Sequence, residues 1–171
     1  MIGFAHSKLI ARLHAIASLS EAGGDRVAAL PITVQNLAGG RTIVHDGEEI
    51  DQCCILVDGY LYRHKIGPEG KRQIVSWHVP GDIPDLYSLH LHPMDHNITT
   101  LGPAVVGFVK HEPFRAMLAN SPNLTDIFWR ETLVDSAVFR EWVVSLGKRS
   151  ALARIAHMLC ELVSRLDVVG L

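Results

Sequence analysis

Short β-branched and apolar runs fill residues 32–109, and glycine-containing turn signals separate them. Asp46-Gly47 and Asp58-Gly59 are tight-turn dipeptides, and residues 67–70 (GPEG) form a further turn signal. These signals recur roughly every ten residues, a spacing that is typical of antiparallel sandwiches and jelly rolls. Because helical periodicity lies on both sides, we predict an α+β, mainly β chain. Its architecture would be an antiparallel sandwich or a double-sheet jelly roll, flanked by N-terminal helices and by a long C-terminal helix.

Capping signals mark where the flanking helices begin and end. Ser20 is a predicted N-cap in the N-terminal helical zone. Ser121 and Pro122 place a second N-cap directly before a proline at the first helical position. We expect Gly147 to end the long helix that follows, and Ser150 to cap a final helix.

Charge and cysteine content narrow the class of protein. The 171 residues include 16 Lys and Arg against 18 Asp and Glu, whereas a chain that mainly covers nucleic-acid phosphates carries a basic excess. The three cysteines include no CxxC pair, so the ligands of a zinc ribbon or an ordinary iron–sulfur cluster are missing. No apolar stretch is long enough for a bilayer, and the N-terminus lacks the apolar run of a signal peptide. We therefore expect a cytoplasmic protein with neither a membrane partner nor a cofactor.

The predicted long helix carries a broad apolar face. A helix that packs on a single sheet needs only one apolar stripe, so the extra width indicates a second partner, such as another copy of the chain. The alternative is a helix buried within one domain. We predict a homodimer, and the candidate residues of its interface are Phe128, Val134, Val138 and Trp142.

Three segments resemble the Crp/Fnr family of bacterial transcription regulators: residues 51–60 (DQCCILVDGY), 67–84 (GPEGKRQIVSWHVPGDIP) and 149–162 (RSALARIAHMLCEL). The resemblance implies a cyclic-nucleotide-binding-like β-roll sensor domain over residues 1–120 and a dimerisation helix over residues 121–147. Residues 148–171 would be the first helix of an incomplete winged helix-turn-helix domain. Since a helix-turn-helix reads DNA with its second helix, we expect no specific DNA binding by this sequence itself.

The family's phosphate cassette has partial counterparts in residues 81–86 and 94–99. In cyclic-nucleotide-binding members, a Gly-Glu pair opens a short helix toward the phosphate, and a following arginine pairs with its charge. Here Asp82 replaces the glutamate, Pro84 removes an N–H, and no arginine follows near His96. The resemblance therefore implies a degenerate pocket that binds neither cyclic AMP nor cyclic GMP. Its candidate effector-binding residues are Gly81, Asp82, Ile83, Pro84, Asp85, Leu86, His96, Asn97, Ile98 and Thr99.

Histidines cluster in the segment from His90 to His96, and imidazole with carboxylate can bind zinc, iron or nickel. We favour the alternative of exposed loop histidines and assign no metal ligand. A cupin-like metal site needs a glutamate shortly after its histidines, but none occurs before Glu112. Cys53 and Cys54 fall in an apolar run where inert core thiols are expected. We therefore expect no catalytic residue and no enzyme.

Together these observations favour the effector-sensing and dimerisation portion of a Crp/Fnr-type DNA-binding transcriptional regulator. Its partners would be a second copy, an unidentified small-molecule effector, and DNA only through the missing helix-turn-helix. A stand-alone ligand- or partner-binding module of the same fold is the alternative, and a cupin-like metal enzyme ranks third.

Overall fold

The computed structural model describes residues 3–170, which begin with two helices. Helix α1 spans Phe4–Ile16 and helix α2 spans Glu21–Ala28. The Ser20 hydroxyl accepts a hydrogen bond from the Gly23 N–H at 3.1 Å, which confirms the predicted N-cap.

Seven strands follow and form two antiparallel sheets. One sheet has the order β1-β7-β3 and the other the order β2-β6-β4-β5. The hydrogen-bonded partners in both sheets run antiparallel, which confirms the predicted double-sheet β-roll. The strands are β1 (Thr33–Leu37), β2 (Thr42–Val44), β3 (Gln52–Asp58), β4 (Leu61–Ile66), β5 (Arg72–His78), β6 (Asn97–Thr100) and β7 (Ala104–Lys110).

Two apolar cores lie on opposite faces of the three-stranded sheet. Cys53 points into the core shared with the helices, and Cys54 points into the core between the two sheets, as the alternation of a strand requires. Strand β3 is therefore buried on both faces, which explains its unbroken apolar sequence. Burial raises the pKa of both thiols, in line with inert core cysteines.

The C-terminal part of the chain is helical. A short 3-10 turn, Leu86–Leu89, lies between β5 and β6, and helix α3 (His111–Ala119) follows the roll. Helix α4 spans Pro122–Lys148 and continues through Gly147, because the helical backbone goes on until Arg149 becomes extended. Helix α5 spans Ala151–Val168, and the Ser150 hydroxyl accepts from the Ala153 N–H as predicted.

Helix α4 has two different halves. Its first turns bury Leu124, Ile127 and Phe128, and the Phe128 ring packs edge-on against Phe114 with centroids 5.1 Å apart. After these turns, Ser145 is its one further buried residue. Among the described residues, no helix combines the length and apolar character needed to cross a membrane.

Candidate functional site

A cavity of about 320 Å³ lies between the β-roll and helix α4. The roll side contributes residues of β4, β5 and the turn after β5, and the helix side contributes residues 131–139. Arg165 of α5 closes one part of the wall. The cavity therefore has walls from both the roll and the long helix, so a molecule inside it would contact both.

Four of the ten predicted effector-binding residues line this cavity: Asp82, Ile83, Leu86 and His96. The other six support it or lie elsewhere. Gly81 has a φ of 98°, and an added Cβ would stand 2.9 Å from the Cβ of Arg12, so only glycine fits this turn. In β6, Ile98 belongs to the inter-sheet core, and the Thr99 hydroxyl lies 2.9 Å from His64 Nε2.

Asn97, also in β6, accepts a hydrogen bond from the Asp46 N–H through its Oδ1 at 3.2 Å. Pro84 presents its backbone carbonyl to Arg63. Asp85 lies on the far side of the turn, where both of its carboxylate oxygens accept from the Cys54 N–H, at 2.9 and 3.0 Å. These residues make backbone hydrogen bonds around the site and do not line the cavity.

The Asp82 carboxylate is buried among cationic and polar groups. Arg165 Nη1 lies 3.1 Å from its Oδ2, and Arg12 Nε lies 3.4 Å from its Oδ1. Burial alone would raise the pKa of Asp82, but the hydrogen bond from His78 and the charges of Arg165 and Arg12 hold it well below its usual range. Asp82 is therefore ionised and forms ion pairs with Arg12 and Arg165 of its own chain.

Arg63 of β4 brings a buried cation into the cavity. Its Nε donates to the Pro84 carbonyl at 2.8 Å, and its Nη1 donates to Asp135 Oδ2 of α4 at 2.7 Å. Only 3% of the Arg63 side chain is exposed, against 26% of the Asp135 side chain. The cassette segment itself has no arginine, and this arginine comes from a neighbouring strand.

A second ion pair joins helix α4 to the N-terminal helix. Arg12 of α1 donates to Glu131 Oε1 through Nη2 at 2.8 Å and through Nε at 3.1 Å. Burial raises the pKa of Glu131, and the charge of Arg12 opposes that shift. Helix α4 is thus tied to the roll by two carboxylates, Glu131 and Asp135, that meet arginines from different elements.

The two histidines of the cavity are neutral near pH 7. Burial, with a smaller contribution from the charge of Arg63, lowers the pKa of both His78 and His96 to about 4. The Tyr87 hydroxyl lies 2.8 Å from His96 Nε2, and Asp95 Oδ1 lies 2.9 Å from His96 Nδ1. His96 therefore contributes polar, uncharged surface to the wall.

The histidines of residues 90–96 lie in different environments. His90 and His92 are exposed, whereas His96 is buried beside Tyr87. Within residues 3–170, no three His, Cys, Asp or Glu side chains come together as a metal-binding group.

The predicted dimer-interface residues lie in different environments. Phe128 is buried in the roll core, and the Trp142 indole N–H donates to Glu161 of α5 at 2.6 Å. Val138 is half-buried, and 37% of Val134 is exposed. The large apolar side chains that α4 leaves most exposed are instead Trp129, Leu133, Val143 and Val144.

Sequence reasoning missed the charged residues that cross between elements. Arg12, Arg63, Glu131, Asp135 and Arg165 are far apart in the sequence, and no local motif links them. A weak signal exists in the charged residues that interrupt the apolar face of α4, because Glu131 and Asp135 are four residues apart and share one side of a helix.

Comparison with known proteins agrees with this architecture. The family model described as the cyclic nucleotide-binding domain matches residues 34–121, which are 88 of the 171 residues. The transcriptional activator protein FnrL of Cereibacter sphaeroides is 25% identical over 126 residues, 74% of this chain. The match spans 50% of the length of FnrL.

Solved structures share the fold. FixK2 of Bradyrhizobium japonicum superposes with a TM-score of 0.72 and 22% identity, over 80% of this chain and 68% of that one. A cyclic nucleotide-binding domain from Methylobacillus flagellatus superposes with a TM-score of 0.65 and 16% identity, over 80% of this chain and 79% of the other. The chain belongs to the cyclic nucleotide-binding domain family.

Proposed function

We propose that this chain is the effector-sensing and dimerisation portion of a Crp/Fnr-type transcriptional regulator. The observation that carries the proposal is the shared cavity, whose buried ion pairs cross from the roll to the long helix. A ligand that contacts Arg63 or Glu131 acts directly on the position of α4. If the two positions of α4 differ in their affinity for the ligand, binding shifts the balance between them.

We further propose that cyclic AMP and cyclic GMP are not the effectors. Pro84 offers no N–H to a phosphate, and its carbonyl accepts a hydrogen bond from Arg63. Asp82 is buried and ion-paired with Arg12 and Arg165, so a ribose hydroxyl would compete with two arginines for this carboxylate. Calorimetric titration of the chain with cyclic AMP should show no binding, and micromolar affinity would contradict this part of the proposal.

The dimer would form along the exposed side of α4. Trp129, Leu133 and Val143 lie 64%, 56% and 69% exposed on this helix. Exposed apolar surface of this extent on one helix is typical of an interaction surface. A second copy would bury it symmetrically.

Sedimentation of the 171-residue chain tests this interface. We expect Val143→Asp to weaken self-association by at least about tenfold, because a carboxylate would be buried without a partner. Val34→Asp is the matched control, since Val34 is also half exposed but lies on strand β1. A chain that is monomeric at high micromolar concentration, or equal effects of both variants, would refute the interface.

The link between the cavity and the dimer is tested in the same assay. Asp135→Asn breaks the Arg63 pair that joins the roll to α4, so we expect the dimer dissociation constant to change several-fold. Asp95→Asn changes a carboxylate of the same cavity that belongs to the roll alone, and it should leave the constant unchanged. If neither variant alters self-association, the cavity does not control the helix.

A further inference from the structure

The Arg63 guanidinium is fixed in the wall of the cavity. Two of its nitrogens, Nε and Nη2, donate to the Pro84 carbonyl. Its Cζ lies 5.7 Å from the centre of the Tyr87 ring and 5.5 Å from the centre of the Phe139 ring. A guanidinium between two aromatic faces gains cation–π attraction that water does not supply. The cation is therefore held by a backbone carbonyl and by two aromatic rings.

Its partner Asp135 is held far less firmly. One N–H, from Nη1, reaches the Asp135 carboxylate, and a quarter of that side chain is already exposed. A change of rotamer would carry the carboxylate into water. Asp135 also lies four residues after the acidic Glu131, a like-charge spacing that destabilises a helix. The pair is thus asymmetric: the cation stays and the carboxylate can leave.

When Asp135 leaves, the guanidinium can bind a new anion through two nitrogens. Arginine has five N–H hydrogens in a planar fork that matches a carboxylate. The bonds to Pro84 use Nε and one hydrogen of Nη2, which leaves hydrogens on both terminal nitrogens for an incoming group. Two parallel charge-assisted bonds are stronger than the single bond that Asp135 makes.

Beside the charged side chains of Asp82, Asp95, Glu131 and Arg165, the cavity wall has an apolar part. Ile83, Leu86, Leu91 and the Phe139 ring line it, together with the neutral His96. A volume of about 320 Å³ accommodates a small organic molecule. The cavity thus offers apolar contact for a ligand body and one releasable cation for its charged end.

We propose that the cavity binds a small organic carboxylate with an aromatic or aliphatic body, whose carboxylate replaces Asp135 on Arg63. This inference rests on the effector-sensing function proposed above and names the class of effector. Asp135 is then a built-in competitor, a carboxylate of α4 that occupies the ligand's place and is displaced from the roll when the ligand arrives.

A cationic ligand fits the same cavity poorly. It would need Asp82 or Glu131, but both carboxylates are paired with arginines that are themselves buried, Arg165 and Arg12. A cationic ligand would therefore compete for each carboxylate with an arginine that already holds it. Asp135 is the carboxylate of the network that can reach water most easily, so an anion is favoured.

Calorimetric titration of the 171-residue chain with benzoate, benzamide and benzamidine tests the class of ligand. These probes share one ring and differ in charge. We expect benzoate to bind and the other two to bind at least about tenfold more weakly. Asp135→Asn removes the competitor and should tighten benzoate binding by about tenfold, while Asp58→Asn, at an exposed carboxylate that ends β3 and does not line the cavity, should leave it unchanged.

A positioning role for the arginine fork is tested with Arg63→Lys. This variant keeps the charge but cannot bind a carboxylate through two nitrogens, so benzoate affinity should fall about tenfold. If Arg63→Lys fails to fold, the Asp135→Asn and Asp58→Asn pair still decides the question. Equal or tighter binding of benzamidine overturns the proposal, as does unchanged or absent benzoate binding in Asp135→Asn.

The sedimentation assay separates this inference from the proposed function. If benzoate binds as expected but the dimer constant is unchanged by benzoate and by Asp135→Asn, the ligand class holds and the sensing function fails. If Asp135→Asn shifts the dimer constant but benzoate binds neither protein, the sensing function holds and the ligand class is wrong.

Discussion

The β-roll buries its large apolar side chains, whereas the C-terminal helices leave many of theirs exposed. In the roll, Leu56, Ile98 and Phe114 are at most 1% exposed and belong to continuous cores. Helix α5 buries no residue fully, and 78% of Leu152 is exposed. The roll can therefore hold its shape by its own packing, whereas the position of α5 depends on a few contacts and on whatever covers its apolar face.

The largest expected effect compares a core residue of the roll with an apolar residue of α5. Phe114→Ala should lower the free energy of unfolding by about 3–5 kcal/mol, because it removes a fully buried ring that packs on Phe128. Leu159→Ala, at a side chain that is 51% exposed, should change it by no more than about 0.5 kcal/mol in dilute protein. Urea unfolding measures both, and comparable losses would remove the contrast between the two regions.

A second prediction concerns Asp85, whose carboxyl group is buried in the roll. Burial raises the pKa of Asp85 to about 7, although the Cys54 N–H partly opposes the shift. The folded state therefore favours the neutral acid, so the contribution of this group to stability is full below pH 4 and is lost as the pH rises through 7. Asp85→Asn has no titrating carboxyl group at this position, so it does not lose stability in this way as the pH rises.

Urea unfolding at pH 4.5 and at pH 8 measures this difference. The stability of Asp85→Asn relative to the parent chain should rise by on the order of 3 kcal/mol between the two conditions. The buried histidines titrate in both proteins, so their contributions cancel in the comparison. A pH-independent difference would show that Asp85 is better solvated than its position inside the turn indicates.

The smallest expected effect concerns the attachment of α5. Arg165 binds Asp82 of the roll at 3.1 Å, so Arg165→Gln should speed amide hydrogen exchange in α5 by about five- to tenfold. The exchange of β3 should not change. Arg154→Gln is the control, since Arg154 is exposed on the same helix. Equal exchange in both variants would mean that other contacts hold α5 against the roll.

Sequence reasoning reached the architecture because its signals are local. Turn dipeptides such as Asp58-Gly59 and caps such as Ser20 and Ser150 act within a few residues, and the structure has a turn or a cap at each. The same reasoning placed Asp82 and His96 at the site through the resemblance, and both line the cavity.

The rest depended on contacts between distant parts of the chain. Arg63 enters the site from β4 because the sheet order places that strand beside β5 and β6, which no spacing reveals. The apolar face of α4 is continuous in sequence, but only its first turns reach the apolar core of the roll, and residues 131–139 line the cavity instead. Phe128 therefore lies in the core, although its pattern resembled that of an interface residue.

Glu131 and Asp135 fix the position of α4 along its axis. Each carboxylate meets an arginine from a different element, Arg12 of α1 and Arg63 of β4, one helical turn apart. A slide of one residue moves a helix by about 1.5 Å and turns it by about 100°, so both pairs would break together. Helix α4 is consequently seated in a single register, because a slide along its axis would cost both ion pairs at once.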